Sequence, residues 1–262
     1  MRITRQVISG LLISCFFVAT LQAKKKPLTV AVGWNKPPYV ISKNDSGFEL
    51  DMVRDVFALM GYQITPIYVP YGRTHKMLQR GQVDAAMSLS TKSGVRIELL
   101  SRRYISYQNT AISLKRNNLD IQLIEDLAKY SVVGFQNAAK NLGGRYAQAV
   151  AKAPYYIELP DQTKQVGMLL QGNIIVAVMD INIFVHLSRQ RTGENQLAVV
   201  DTHNIFPATD YSVGFTNTAL KKAFDKALSQ YQNSHNFLEL VKDYEFNVIP
   251  PTRLPETPAP LL

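Results

Sequence analysis

Cysteine is nearly absent: the 262 residues contain one, Cys15. It falls in a segment expected to be removed on export, so the mature chain is expected to carry no thiol. That excludes disulfides, cysteine nucleophiles and thiolate metal sites, and it suits an oxidising compartment. Histidine is almost as sparse, and His75, His186, His203 and His235 show no metal-ligand spacing of the His-Glu-x-x-His kind. There is no nucleophile elbow and no phosphate-cradling glycine loop. The net charge of +9 comes from basic residues that are scattered, apart from Lys24-Lys25-Lys26, with no repeated basic and aromatic stripe. It therefore reads as a solvated surface rather than a nucleic-acid footprint. The sequence gives no reason to expect a metal, a cofactor, a nucleic-acid partner or an enzyme.

What is present begins with a message of its own. Arg2 and Arg5 precede an apolar stretch from Val7 to Leu21, and Leu21-Gln22-Ala23 offers a small-residue cleavage site. This is the layout of a secretory signal over residues 1–23, which places the mature chain in the periplasm. A membrane anchor is disfavoured because the stretch is short for a bilayer and is followed by the lysine triplet. Leu12-Ile13-Ser14 before Cys15 loosely resembles a lipoprotein processing site, but Phe16, Phe17 and Val18 continue the apolar run where a polar tether would be expected.

The remainder echoes itself. Val32-Gly33-Trp34-Asn35 returns as Val133-Gly134-Phe135-Gln136, and Met77-Leu78 with Gly81-Gln82-Val83 returns as Met168-Leu169 with Gly172-Asn173-Ile174. Each half reads as a strand, helices, then a helix ending in glycine that feeds a buried strand. Ser46 with Glu49 has the spacing of a capping box ahead of Phe48, Val53, Phe57 and Met60, and Gly61 reads as the helix stop. Tyr62–Val69 reads as a strand, Arg73–Arg80 and Gln162–Gln171 as helices. Alternation of this kind implies α/β lobes whose ligands bind beyond the carboxyl ends of largely parallel strands. Trp34, Asn35, Ser88 to Ser90, Phe135 to Asn137 and Asp180 stand at such ends. The stretch from Asp210 to Tyr244 is too short for a third lobe and is expected to return to the first. Beyond it, prolines forbid a helix in the C-terminal tail.

Several short motifs in this order resemble the extracellular solute-binding proteins of family 3, the polar amino acid receptors of ABC importers. Gly47-Phe48-Glu49-Leu50-Asp51 resembles the family's GFxxD helix start, and Gly81-Gln82-Val83-Asp84-Ala85 its GxxDA strand entry. Thr91 with Arg96 resembles its TxxR element, and Gln171-Gly172 followed by Asp180 its second-lobe G…D. The resemblance implies an α/β, two-lobed, type II periplasmic-binding-protein-like fold with two hinge crossovers, near Ser113 to Asn117 and Asn204 to Asp210. The corresponding division is a first lobe of residues 27–112 and 211–248, a second lobe of 118–203, and a proline-rich tail of 249–262. It implies a monomer that captures an amino acid or related solute and delivers it to an ABC permease. The rival readings are a sensory protein presenting its solute to a membrane receptor, and a dehydratase-like enzyme on the same fold.

A free amino acid needs one fixed cation and one fixed anion on opposing walls. On the resemblance, Arg96 would pair the carboxylate with help from Ser90 or Ser88, and Asp180 would accept the ammonium. Trp34, with Tyr39, Tyr71 or Phe135, would wall the side-chain pocket, and Asn137 and Arg73 complete the candidates. Each has a plainer reading: Arg96 and Arg73 as solvated residues at helix starts, Asp180 as a helix cap, Trp34 and Phe135 as core. Two departures bear on the solute. Asn137-Ala138-Ala139 stands where the family offers hydroxyls, and the segment from Ser90 to Arg96 is one residue longer than usual.

Overall fold

A computed structural model describes residues 26–70 and 72–246. The signal-like segment with Cys15, the candidate Tyr71 and the proline-rich tail lie outside the described residues. In the first half, β1 (Lys26–Gly33), α1 (Phe48–Leu59), β2 (Tyr62–Val69), α2 (Thr74–Gln79) and β3 (Ala85–Leu89) follow one another, and then β4 (Ile105–Tyr107) and β5 (Asn109–Leu114). The second half runs β6 (Val132–Phe135), α3 (Ala138–Asn141), α4 (Gly144–Val150), β7 (Tyr156–Leu159), α5 (Gln162–Leu170), β8 (Val176–Asp180) and α6 (Ile181–Thr192). After β9 (Val200–His203) the chain closes with β10 (Thr209–Phe215), α7 (Thr218–Gln232) and α8 (His235–Asp243).

These elements build two five-stranded sheets with the same plan. The orders are β2-β1-β3-β10-β4 and β7-β6-β8-β5-β9. In each sheet three parallel strands, β2-β1-β3 or β7-β6-β8, are extended by an antiparallel strand, β10 against β3 and β5 against β8. The echo in the sequence is this shared plan. Strands covered on both faces need near-continuous apolar runs, and β8 is buried at every residue. One core cluster includes Phe57, Phe215 and Phe224 of the first lobe and Val166, Met179 and Phe184 of the second. Burial of each such large side chain contributes about 1.5–3 kcal/mol.

The crossovers are where one expectation moves. β5 hydrogen-bonds to β8 and β9, so Asn109–Leu114 belongs to the second sheet and the chain changes lobes at Gln108, ahead of the expected Ser113–Asn117. Ser113 is a buried residue inside β5. The return passes over residues 204–208, between β9 and β10.

The start of α1 also differs from the capping box. Gly47 is the N-cap and no side chain caps the helix. Instead the Pro38 carbonyl accepts the Phe48 N–H at 2.9 Å and the Tyr39 carbonyl accepts the Glu49 N–H at 3.0 Å. Backbone acceptors thus satisfy the first orphan donors, and Ser46 Oγ donates to Asn44 Oδ1 at 2.8 Å. The close approach demands glycine: Gly47 has φ of 124°, and a Cβ there would lie 2.4 Å from the Tyr39 oxygen. Glu49, released from capping, turns inward.

Candidate functional site

The strand-end rule selects a cavity of about 150 Å³ on the first lobe, where β1 and β3 end. It is lined by Trp34, Lys36, Glu49, Ser88, Ser90 and Tyr107, with Thr74, His75 and Tyr211 at its edges. A larger cavity of about 460 Å³ lies between α1, the segment 102–106 and α7–α8. Phe48, Met52, Phe237 and Phe246 line it, and no strand end of the parallel core points there, so the smaller one is the candidate site.

Glu49 forms the floor. It is fully buried, and its Oε1 accepts from Ser88 Oγ at 2.6 Å and from the Tyr104 hydroxyl, while Oε2 accepts from the Tyr107 hydroxyl at 2.5 Å. Burial, followed by the field of Glu49, pushes both tyrosines well above the usual phenol range, so both hydroxyls keep their protons and serve as donors. Ser88 reaches this position with φ of 56° at the end of β3. The Lys36 ammonium sits 4.2 Å from the centre of the Tyr107 ring. One wall therefore carries an ammonium, a carboxylate, hydroxyls and aromatic faces. Trp34 is 60% exposed at the rim, which sets aside its reading as core.

Asp180, at the end of β8, meets the first lobe. The Tyr39 hydroxyl donates to its Oδ1 at 2.8 Å, and both residues are buried. Asp180 also caps α6, accepting from the Asn182 and Ile183 N–H groups. Burial raises its carboxyl above the usual range against the opposing pull of Tyr39, the Ile183 and Gln108 amides and Lys36.

Four expected residues stand elsewhere. Arg96 does not line the cavity: its side chain is 71% exposed and pairs with Glu98 at 3.3 Å. The lengthened loop accounts for this, because Ser90 and Ser93 close a reciprocal cap around a 3₁₀ turn and Gly94 then turns left-handed, which carries the chain outward. Arg73 is exposed at the start of α2. Phe135 is half-buried against the core of the second lobe. Asn137 is exposed with φ of 63°, and its N–H donates to Glu158 Oε2 at 2.7 Å while the Ala139 N–H donates to Oε1 at 2.8 Å. The chain's own carboxylate, further held by Tyr156 at 2.7 Å, stands where the resemblance led one to look for hydroxyls.

Lys36, Glu49 and Tyr107 were missed in the sequence. Lys36 lies in the same post-strand turn as Trp34 and could have been found by the strand-end rule. Glu49 was masked by its capping-box spacing, and Tyr107 carried no signal of its own.

Comparison with known proteins bears on the whole arrangement. No curated protein sequence matches the chain. Among solved structures, an ancestral arginine-binding protein bound to arginine aligns with a TM-score of 0.60 at 17% identity, covering 84% of this chain and 99% of the other. The substrate-binding protein of a polar amino acid ABC uptake transporter from Streptococcus thermophilus aligns with a TM-score of 0.64 at 13% identity, covering 83% and 85%. A histidine kinase sensor domain with similarity to periplasmic binding proteins gives 0.62 at 14% identity, covering 87% and 99%. At such identities these likenesses speak for the two-lobed fold. The profile of one family matches residues 28–247, through both lobes and both crossovers, and the chain belongs to the bacterial extracellular solute-binding proteins, family 3.

Proposed function

We propose that this protein captures a small amino acid or amino-acid-like solute between its lobes in the periplasm and delivers it to an ABC importer. The observation that carries the reading is the pairing of Lys36 and Glu49 on one wall of the cavity at the ends of β1 and β3. A zwitterion presents a carboxylate and an ammonium, and this wall offers a partner of each sign with Ser88 and Ser90 as hydroxyl donors. Trp34 and Tyr107 supply the apolar faces on which a short side chain rests. Solute bound here favours approach of the second lobe by its differential affinity for the closed state. Importer delivery rests on the family. The likeness to a sensor domain of a histidine kinase supports a second reading, in which the loaded protein engages a membrane receptor.

The chain contains one tryptophan, Trp34, so its emission reports the cavity without background. The test is a titration of the purified protein with each of the twenty L-amino acids, followed by Trp34 emission and by melting temperature. A solute at 100 times its Kd stabilises by about 2.7 kcal/mol. In a chain of this size that raises Tm by roughly 5–10 °C. If no amino acid moves either signal, the reading fails. Co-purification of the loaded protein with a permease or with a receptor kinase separates the two destinations.

A further inference from the structure

The larger cavity, of about 460 Å³, shares no lining residue with the candidate site. The two stand back to back. Phe48 lines the larger while Glu49, its neighbour in α1, lines the smaller, and Tyr104 lines the larger while donating its hydroxyl to Glu49. The volume falls within the roughly 300–1,000 Å³ of small-molecule sites. Its floor is apolar: Phe48, Met52 and Phe246 are buried, the Phe48 and Phe246 rings stack at 3.7 Å with their planes 3° apart, and Phe237 meets Phe48 at 6.3 Å. Such a floor takes a ring or a short hydrocarbon chain and rejects a charge.

The rim is polar, and its two arginines differ. Arg103 donates to Ser106 Oγ at 2.8 Å and lies 3.3 Å from Asp210 Oδ1, so a carboxylate already balances it. The Arg102 guanidinium donates to a neutral group, the Ser229 hydroxyl, which is itself fixed by donating to the Asp225 carbonyl at 3.0 Å. The nearby Asp225 carboxylate accepts the Arg102 backbone N–H at 2.9 Å and pairs with Lys221 Nζ at 2.7 Å. Among the described residues no carboxylate pairs with the Arg102 guanidinium. An exposed arginine is ordinarily just solvated, but this one borders an apolar floor and keeps donors of its planar fork to offer. We propose that the cavity is a second ligand site, which takes a small amphiphilic organic anion. A ring system or short acyl chain lies on Phe48, Phe237 and Phe246, and a single carboxylate or sulfonate head meets Arg102. This assignment does not rest on the function proposed for the first cavity.

The test uses two fluorescent probes of nearly the same shape, anilinonaphthalene sulfonate and its uncharged parent phenylnaphthylamine, each titrated into the purified protein. Both are expected to brighten and saturate. The sulfonate should bind about threefold to fivefold more tightly at low salt, the worth of one exposed charge pair, and lose that margin as salt is added. Arg102→Ala is expected to erase the margin and leave the uncharged dye's affinity where it was. Ser229→Phe, which places a ring in the cavity, should weaken both dyes at least about tenfold while far-UV circular dichroism stays unchanged. Three results would each overturn the proposal: neither dye saturates, the two bind equally, or the margin survives Arg102→Ala. Unchanged binding to a folded Ser229→Phe puts the dyes elsewhere and overturns it as well. If Ser229→Phe does not fold, the margin in Arg102→Ala decides alone.

Discussion

Replacing Glu49 tests whether the cavity floor is a polar cluster held together by one carboxylate. In Glu49→Ala, the hydroxyls of Ser88, Tyr104 and Tyr107 all lose their acceptor; both tyrosines are buried, while Ser88 is half-buried on the cavity and can turn to water. A buried donor left unsatisfied costs about 1–3 kcal/mol, so the two tyrosines cost about 2–6 kcal/mol. That is comparable with the roughly 5–15 kcal/mol by which a domain is stable at all. An opposing effect exists, because burying a carboxylate costs several kcal/mol and the substitution removes that penalty. The loss wins in the single variant, since the two tyrosine hydroxyls remain buried with their own desolvation cost. It should not win once the hydroxyls go too. Glu49→Ala combined with Tyr104→Phe and Tyr107→Phe leaves no buried orphan and is expected to recover about 2–6 kcal/mol of the loss. Glu49→Gln is intermediate: with its carbonyl at the Oε1 position it keeps Ser88 and Tyr104, and Tyr107 must turn to accept from the amide, for a loss of about 2–3 kcal/mol as charge-assisted bonds become neutral ones. The assay is urea denaturation followed by far-UV circular dichroism. A single-variant loss under about 1 kcal/mol, or a triple variant no more stable than Glu49→Ala, would refute the claim that the carboxylate organises the cluster.

Gly47→Ala is expected to cost more than about 3 kcal/mol, because a strained backbone region alone costs about 1–3 kcal/mol and the new methyl meets the Tyr39 carbonyl at 2.4 Å. A shift in the urea midpoint equivalent to under about 1 kcal/mol would show that the loop of residues 38–41 yields freely. Arg96→Ala is expected to leave the Trp34 response to its solute unchanged, while Lys36→Met weakens it at least about tenfold, or roughly 1.4 kcal/mol. The reverse pattern would return the carboxylate contact to Arg96. Burial lowers the pKa of both His186 and His203 below the usual 6.5, with Arg189 adding to the effect at His186 and Asp201 opposing it at His203. As pH falls through 6.5 toward those lowered values the unfolded chain takes up protons first, so stability is lost on acidification in that window. Melting temperatures between pH 7.5 and 5.5 measure this, and His186→Gln with His203→Gln should flatten the slope.

The division of labour between sequence and structure follows from what each signal encodes. Periodicity encodes burial, and so β2, α2 and α5 stand within a residue or two of where the apolar pattern puts them. The repeat encodes topology, and the two sheets do share one strand plan. Partner choice is encoded in neither. Nothing in Asn109–Leu114 says which sheet it joins; that is decided by β8 and β9, far along the chain, and so the first crossover was expected too late. The site fails in the same way. Ser46 and Glu49 have capping-box spacing, and only the arrival of the Pro38 and Tyr39 carbonyls at the helix start frees Glu49 to face Tyr104 and Tyr107. Arg96 keeps its motif position, yet one extra residue is enough to let Ser90 and Ser93 close a turn and send the guanidinium to Glu98. Asp180 was legible both as a ligand group and as a helix cap, and the cap is what its geometry displays, with Tyr39 added from the opposite lobe. Lys36 and Glu49, which line the cavity beside exposed Trp34, are the pair proposed to meet the solute.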